Sequence, residues 1–206
     1  MNWGEFKQYV TNLAHENHLF RGQQAQWRRR TTFHRTGRAD LTRYVNDDLP
    51  GLHRKLSFRT RHVFNRSVPD ENGAFLNLLQ HHGYPTPLLD WTYSPYVAAF
   101  FAYRGVSPKD AAASAENDRV RIFQLNESWR TDLKLVLWAD RPFPNFSIAE
   151  FIAIDNDRMI PQQSVSAISN VDDIETYIRD VEAKVGKAYL TQLIYPLRSG
   201  PKSMLS

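Results

Sequence analysis

Leu79-Gln80-His81-His82-Gly83-Tyr84-Pro85-Thr86-Pro87-Leu88-Leu89-Asp90-Trp91-Thr92-Tyr93-Ser94-Pro95-Tyr96-Val97-Ala98-Ala99-Phe100-Phe101-Ala102 holds the end of one helix, a turn, a strand and the start of another helix. The first helix runs into Gly83, a Pro-x-Pro turn follows, and Leu88–Thr92 reads as a short strand. Ser94 is placed as an N-cap, Pro95 suits the first helical position, and Arg104-Gly105 makes a stop. A strand-to-helix junction of this kind presents backbone N–H groups and small hydroxyls at one mouth, where phosphates or sugars are held. A tight core junction fits the same pattern, and the local sequence does not separate the two.

Outward from this junction the chain reads as α+β, with helices early and strands late. Upstream, residues 70–82 form a helix capped by Asp70, with Phe75, Leu78, Leu79 and His82 along one face. Residues 3–15 form an amphipathic helix, and His18–Gln23 a short strand ending near Gly22. Arg21 within that strand needs either an internal carboxylate or a ligand, because burying a lone guanidinium is costly. Gly22 lets another backbone or a ligand approach closely. Asp40 caps a helix within 24–66. Downstream, 106–118 reads as a surface connection and 119–125 as a half-buried strand. Residues 133–138 and 151–154 are further strands around a loop at 141–145, and Arg158–Ile168 is a turn feeding a strand. An amphipathic helix over 171–186 precedes a strand over 189–195.

The 206 residues suit a single domain, 1–206, and 42% hydrophobic content with 13% aromatics argues for a folded globule. No apolar run is long enough to cross a membrane. No secretory leader is visible after Met1, and the absence of cysteine removes disulfides and thiolate chemistry, so a cytoplasmic location is expected. The net charge of +4 is uneven: residues 28–66 carry eleven Lys/Arg against three Asp/Glu, a local +8. Arg28, Arg29, Arg30, Arg54 and Lys55 are therefore candidate nucleic-acid contacts, with Trp27, Phe33, Tyr44 and Phe58 interleaved as stacking platforms. A solvated helix face is the plainer reading of the same run.

Several chemistries lack their signatures. No His-x-x-x-His pair, Gly-x-Ser-x-Gly elbow, Walker loop or Gly-x-Gly-x-x-Gly is present, so no metal site is expected. What remains is the Arg21-Gly22 strand, the Thr92-x-Ser94 junction, and Gln162-Gln163 before a late strand. Together these could hold a dinucleotide: arginine takes phosphate or ribose oxygens by its fixed fork, hydroxyls take sugar hydroxyls, and Trp91, Tyr93 or Tyr96 stacks on a flat ring.

Leu19-Phe20-Arg21-Gly22-Gln23, with Leu79–Thr86 and Leu88-Leu89-Asp90-Trp91-Thr92-x-Ser94-Pro95, closely resembles the FRG-domain family, named for its Phe-Arg-Gly motif. Pro161-Gln162-Gln163-Ser164 resembles that family's Gln-Gln-Gly segment with serine for glycine, and Pro87 stands where arginine is common. The resemblance spans residues 18–168. The family's motif order is similar to that of ADP-ribosyltransferases. This implies a split mixed or antiparallel sheet and NAD as substrate, with Arg21 on its ribose or phosphate and Gly22 at the nicotinamide amide. Thr92 and Ser94 would match the hydroxyl strand, Tyr96 would cover the nicotinamide, and Gln162 and Gln163 would occupy the catalytic turn where the transferases carry glutamate. The implied function is ADP-ribosylation of nucleic acid, RNA foremost, by a bacterial toxin or anti-phage effector with an acidic antitoxin as partner. A non-catalytic nucleotide- or nucleic-acid-binding module is the alternative.

Overall fold

Why Ser94 starts a helix is plain in the computed structural model, which describes residues 3–13, 18–25, 28–60, 62–114, 118–152, 154 and 163–197. Ser94 has extended backbone and its Oγ accepts from the Val97 N–H, while Pro95 supplies a pre-set φ at the first helical position. The helices are α1 (Trp3–Thr11), α2 (Thr32–Arg35), α3 (Leu41–Arg43, continued by a π-helical turn, Tyr44–Asp48), α4 (Leu49–Ser57), α5 (Pro69–His81), α6 (Pro95–Tyr103), α7 (Pro108–Ala113), α8 (Ser128–Asp132) and α9 (Ile174–Val185). The strands are β1 (His18–Gln23), β2 (Leu88–Thr92), β3 (Arg119–Asn126), β4 (Phe146–Ala149), β5 (Ser164–Ser169) and β6 (Leu190–Pro196). They form one sheet in the order β4-β5-β2-β1-β3-β6, so the fold is α+β.

The pairings described in register are antiparallel. Among the described residues β1 pairs with β3 all along its length, whereas β1 meets β2 in register at Phe20↔Thr92 alone. The chain gathers into two compact units, each discontinuous in sequence: residues 1–28, 91–132 and 178–206, and residues 29–90 and 133–177.

In the first unit α1 and α6 cover one face of the sheet. Phe6 and Val10 meet Phe20, Ala98, Ala99, Ala102, Val120, Ile122, Leu193 and Tyr195 in one buried cluster. The small residues of α6 let its backbone lie directly on β1, where a Cβ at Gly22 would stand 1.9 Å from the Ala98 carbonyl oxygen. The Tyr9 hydroxyl donates to Gln124 Oε1 on the same face, and burial raises the Tyr9 pKa.

In the second unit α5 is buried on nearly every side, with Phe75, Leu76, Leu78 and Leu79 packing against Phe33, Tyr44, Leu56 and Ile168. Gly73 leaves a notch that the Phe151 ring fills, a Cβ there standing 2.0 Å from Phe151 Cδ1. The obstacle is a side chain with some freedom to shift, so Gly73→Ala is expected to cost about 1–3 kcal/mol. Chemical denaturation measures it, and an unchanged midpoint would show that Phe151 does not occupy the notch.

Several boundaries differ from the sequence reading. The helix read at 70–82 starts at Pro69, since proline is pre-organised for the first helical position, and Asp70 joins Glu71 in the first turn instead of capping. The connection read at 106–118 contains α7. Residues 133–138 are not a strand: the Val136 N–H donates to Ser147 Oγ at 2.9 Å, and the strand is β4, whose four residues are all buried. The strand read over 151–154 is likewise absent among the described residues there; Phe151 is the plug at Gly73. Helix α9 begins at Ile174, because Asp173 Oδ1 accepts from the Thr176 N–H as a cap.

Candidate functional site

Three chain ends converge at one end of the first unit: the start of β1, the end of β2 leading into α6, and the end of β3. The antiparallel register requires this, since His18 opposes Asn126 and Phe20 opposes Thr92. Arg21 and Gly22 are thereby brought beside Thr92 and Ser94, about seventy residues further along the chain.

Side-chain alternation sorts these residues by face. Phe20 lies in the α1–α6 core, Gly22 meets α6, and Thr92 is the register partner of Phe20, so these three share the α6 face. Arg21 projects from the opposite face, which Leu19, Gln23 and Phe123 share with it. The sequence reading put the Arg21 guanidinium and the two hydroxyls in one cleft; instead the strand backbone separates the guanidinium from Thr92. Trp91, one residue before Thr92, falls on the Arg21 face and is buried.

Both hydroxyl oxygens have local work. Thr92 Oγ1 accepts from the Ser94 N–H at 3.0 Å, and Ser94 Oγ caps α6. Tyr96, 44% exposed, is edge-on to Phe6 and Trp3. Its ring therefore belongs to the α1–α6 side and does not cover a group held by Arg21. The space a side chain would take at Gly22 is filled by the α6 backbone.

The same end of the unit carries a cluster that the sequence reading missed. Arg130 Nη1 donates to Glu127 Oε1 at 2.9 Å and to the Tyr93 hydroxyl at 3.1 Å, and that hydroxyl donates to Glu127 Oε1 at 3.3 Å. Glu127 follows β3 two residues beyond Leu125, which shares the face of Arg21. The signal was present as Tyr93 within the junction, but its partners come from a helical turn, α8, that the sequence pattern does not announce.

The late turn belongs to the second unit. Gln163 is exposed with φ 47°, directly before β5. Gln162 lies outside the described residues.

The basic segment is largely spent on internal pairs. Arg29 is fully buried and donates to Glu175 Oε1 at 3.2 Å, which corrects its reading as a phosphate contact. Arg30 Nε donates to Asp172 at 2.5 Å, and that hydrogen bond raises the Arg30 pKa. Arg38 pairs with Asp48, and Arg43 stands 3.8 Å from Asp47. Arg28, Arg54 and Lys55 are exposed. Trp27 lies outside the described residues, and Phe33 and Tyr44 are buried core, so of the four aromatics read as stacking platforms Phe58 is exposed. Among the described residues no three His, Asp or Glu side chains gather as a metal-ligand set, and no helix is long and apolar enough to cross a membrane.

These observations define an α+β protein in which an Arg-Gly strand lies beside a hydroxyl-capped strand-to-helix junction. Residues 16–111 match the family model of the FRG domain. The match includes Phe20-Arg21-Gly22 and the whole junction, and ends before Gln162 and Gln163. Searches of curated proteins and of solved structures find no match.

Proposed function

We propose that this protein is an NAD-dependent ADP-ribosyltransferase that modifies nucleic acid, RNA foremost, with an ADP-ribosyltransferase-like split sheet. The observation that carries the reading is that the Arg21-Gly22 backbone runs beside the Thr92–Ser94 junction within one unit, despite their separation in sequence, with the Arg21 side chain on the opposite face of the strand. Arg21 would hold the diphosphate or a ribose oxygen, and Trp91 is the aromatic ring on its face. In such a transfer the bond from ribose C1′ to the nicotinamide nitrogen breaks and nicotinamide leaves with the bonding pair. An acceptor oxygen or nitrogen then joins C1′ and releases its proton.

A carboxylate assists by holding the ribose 2′-hydroxyl and stabilising the positive charge that develops. Gln162 and Gln163 have amides that hydrogen-bond but carry no charge. We assign the carboxylate role to Glu127, which stands in the same unit as Arg21. The toxin or anti-phage role, with its acidic antitoxin, comes from the family resemblance.

The second reading, a nucleotide-binding module without catalysis, is favoured by one observation: the oxygens of Thr92 and Ser94 are already engaged by backbone N–H groups. Incubation with labelled NAD and separate RNA, DNA and protein acceptors separates the two. Label on RNA or DNA supports the transferase. NAD binding by calorimetry with no labelled acceptor supports the binding module, and neither binding nor label contradicts both.

A further inference from the structure

The second unit carries a groove of about 920 Å³ between α4 with its following turn and the C-terminal end of α5. Leu52, Leu56, Leu78 and Leu79 contribute its apolar lining, and Lys55, Arg59 and His82 are its basic groups. Among the described residues no carboxylate lines it, and neither Lys55 nor Arg59 has an ion-pair partner. This sets them apart from Arg29, Arg30, Arg38 and Arg43 of the same basic segment, each with an acidic neighbour. The C-terminal end of α4 favours cations nearby, which accounts for part of the charge. It does not account for Phe58, at 85% the most exposed large hydrophobic among the described residues, which stands in the groove wall at the helix C-cap.

A bare aromatic ring beside unneutralised cations fits a ligand that is both flat and anionic. An acidic peptide would satisfy Lys55 and Arg59 but offer Phe58 no flat partner. A duplex would offer phosphates but keep its bases stacked away from the ring. An unpaired strand satisfies both, since every base has a face to stack and every link a charge. We propose that this groove binds single-stranded nucleic acid, with a base stacked on Phe58, Tyr84 as an aromatic wall, and phosphates held by Lys55 and Arg59. The inference rests on the nucleic-acid acceptor of the proposed function and places its docking surface on α4 and α5.

The test is fluorescence anisotropy with a labelled oligouridine, with a duplex of mixed sequence and a glutamate-rich peptide as competitors, all without NAD. The oligouridine is expected to bind more tightly than either competitor. Phe58→Ala, at a fully exposed position where folding is not at stake, should weaken it by about tenfold. Lys55→Ala with Arg59→Ala should flatten the slope of log affinity against log salt by about 1.4, the share of two phosphate contacts on a single strand. Unchanged affinity in Phe58→Ala, or preference for the duplex or the peptide, would overturn the proposal. Oligouridine binding without label transfer from NAD would count against the transferase and leave the groove standing. Label transfer without groove-dependent binding would do the reverse.

Discussion

Gly22→Ala is expected to destabilise the first unit strongly. The new Cβ would lie 1.9 Å from the Ala98 oxygen and 2.6 Å from the Ala102 nitrogen, both backbone atoms of α6. Relief requires lifting a whole helix off β1, and with it the contacts of Ala98, Ala99 and Ala102 with Phe6, Phe20 and Ile122. Forcing atoms into packed interiors costs about 1–3 kcal/mol where side chains can adjust, and more where they cannot. At the upper end, about 3 kcal/mol, the thermal midpoint falls by roughly 10 °C for a chain of this size. A melt followed by circular dichroism reads the change, and a midpoint equal to wild type would show that α6 does not lie on β1 as described.

Glu175→Ala is expected to destabilise the second unit severely. Arg29 is fully buried, and this substitution removes the carboxylate 3.2 Å from it. Breaking one side of a buried ion pair costs about 3–5 kcal/mol, because the remaining charge keeps its desolvation penalty. Replacing both partners by apolar residues, Arg29→Met with Glu175→Leu, should recover most of that loss, since a well-packed apolar pair is often no less stable. Urea denaturation of the two variants decides it. If the double variant is as unstable as Glu175→Ala, the buried pair is not the source of the effect.

These two residues also show what the sequence could and could not carry. Gly22 read as a point of close approach to a backbone or a ligand, and the approaching group is the α6 backbone. Ser94 read as a cap because an N-cap is set by its immediate neighbours. Arg29 read as one of three exposed arginines, because a charge run carries no mark of whether its partners are water or carboxylates. Its partner lies 146 residues away, and only tertiary folding brings it near. The site followed the same rule. The pairing of the Arg-Gly strand with the hydroxyl junction was legible from motif order, but the face each side chain takes depends on register. A one-residue difference in register exchanges the faces, and this placed Arg21 opposite Thr92. The Tyr93–Glu127–Arg130 cluster was invisible because α8 is a single short turn with no periodic pattern.

The most direct measurement is transfer of label from NAD to RNA by wild type and by Arg21→Ala, with thermal midpoints taken alongside. Arg21 projects from a sheet face and is half-buried, so the midpoints separate loss of folding from loss of a substrate contact. The account predicts that label on RNA falls by at least about tenfold, the worth of a charge-assisted hydrogen bond to substrate. Equal labelling by a folded Arg21→Ala protein would contradict it.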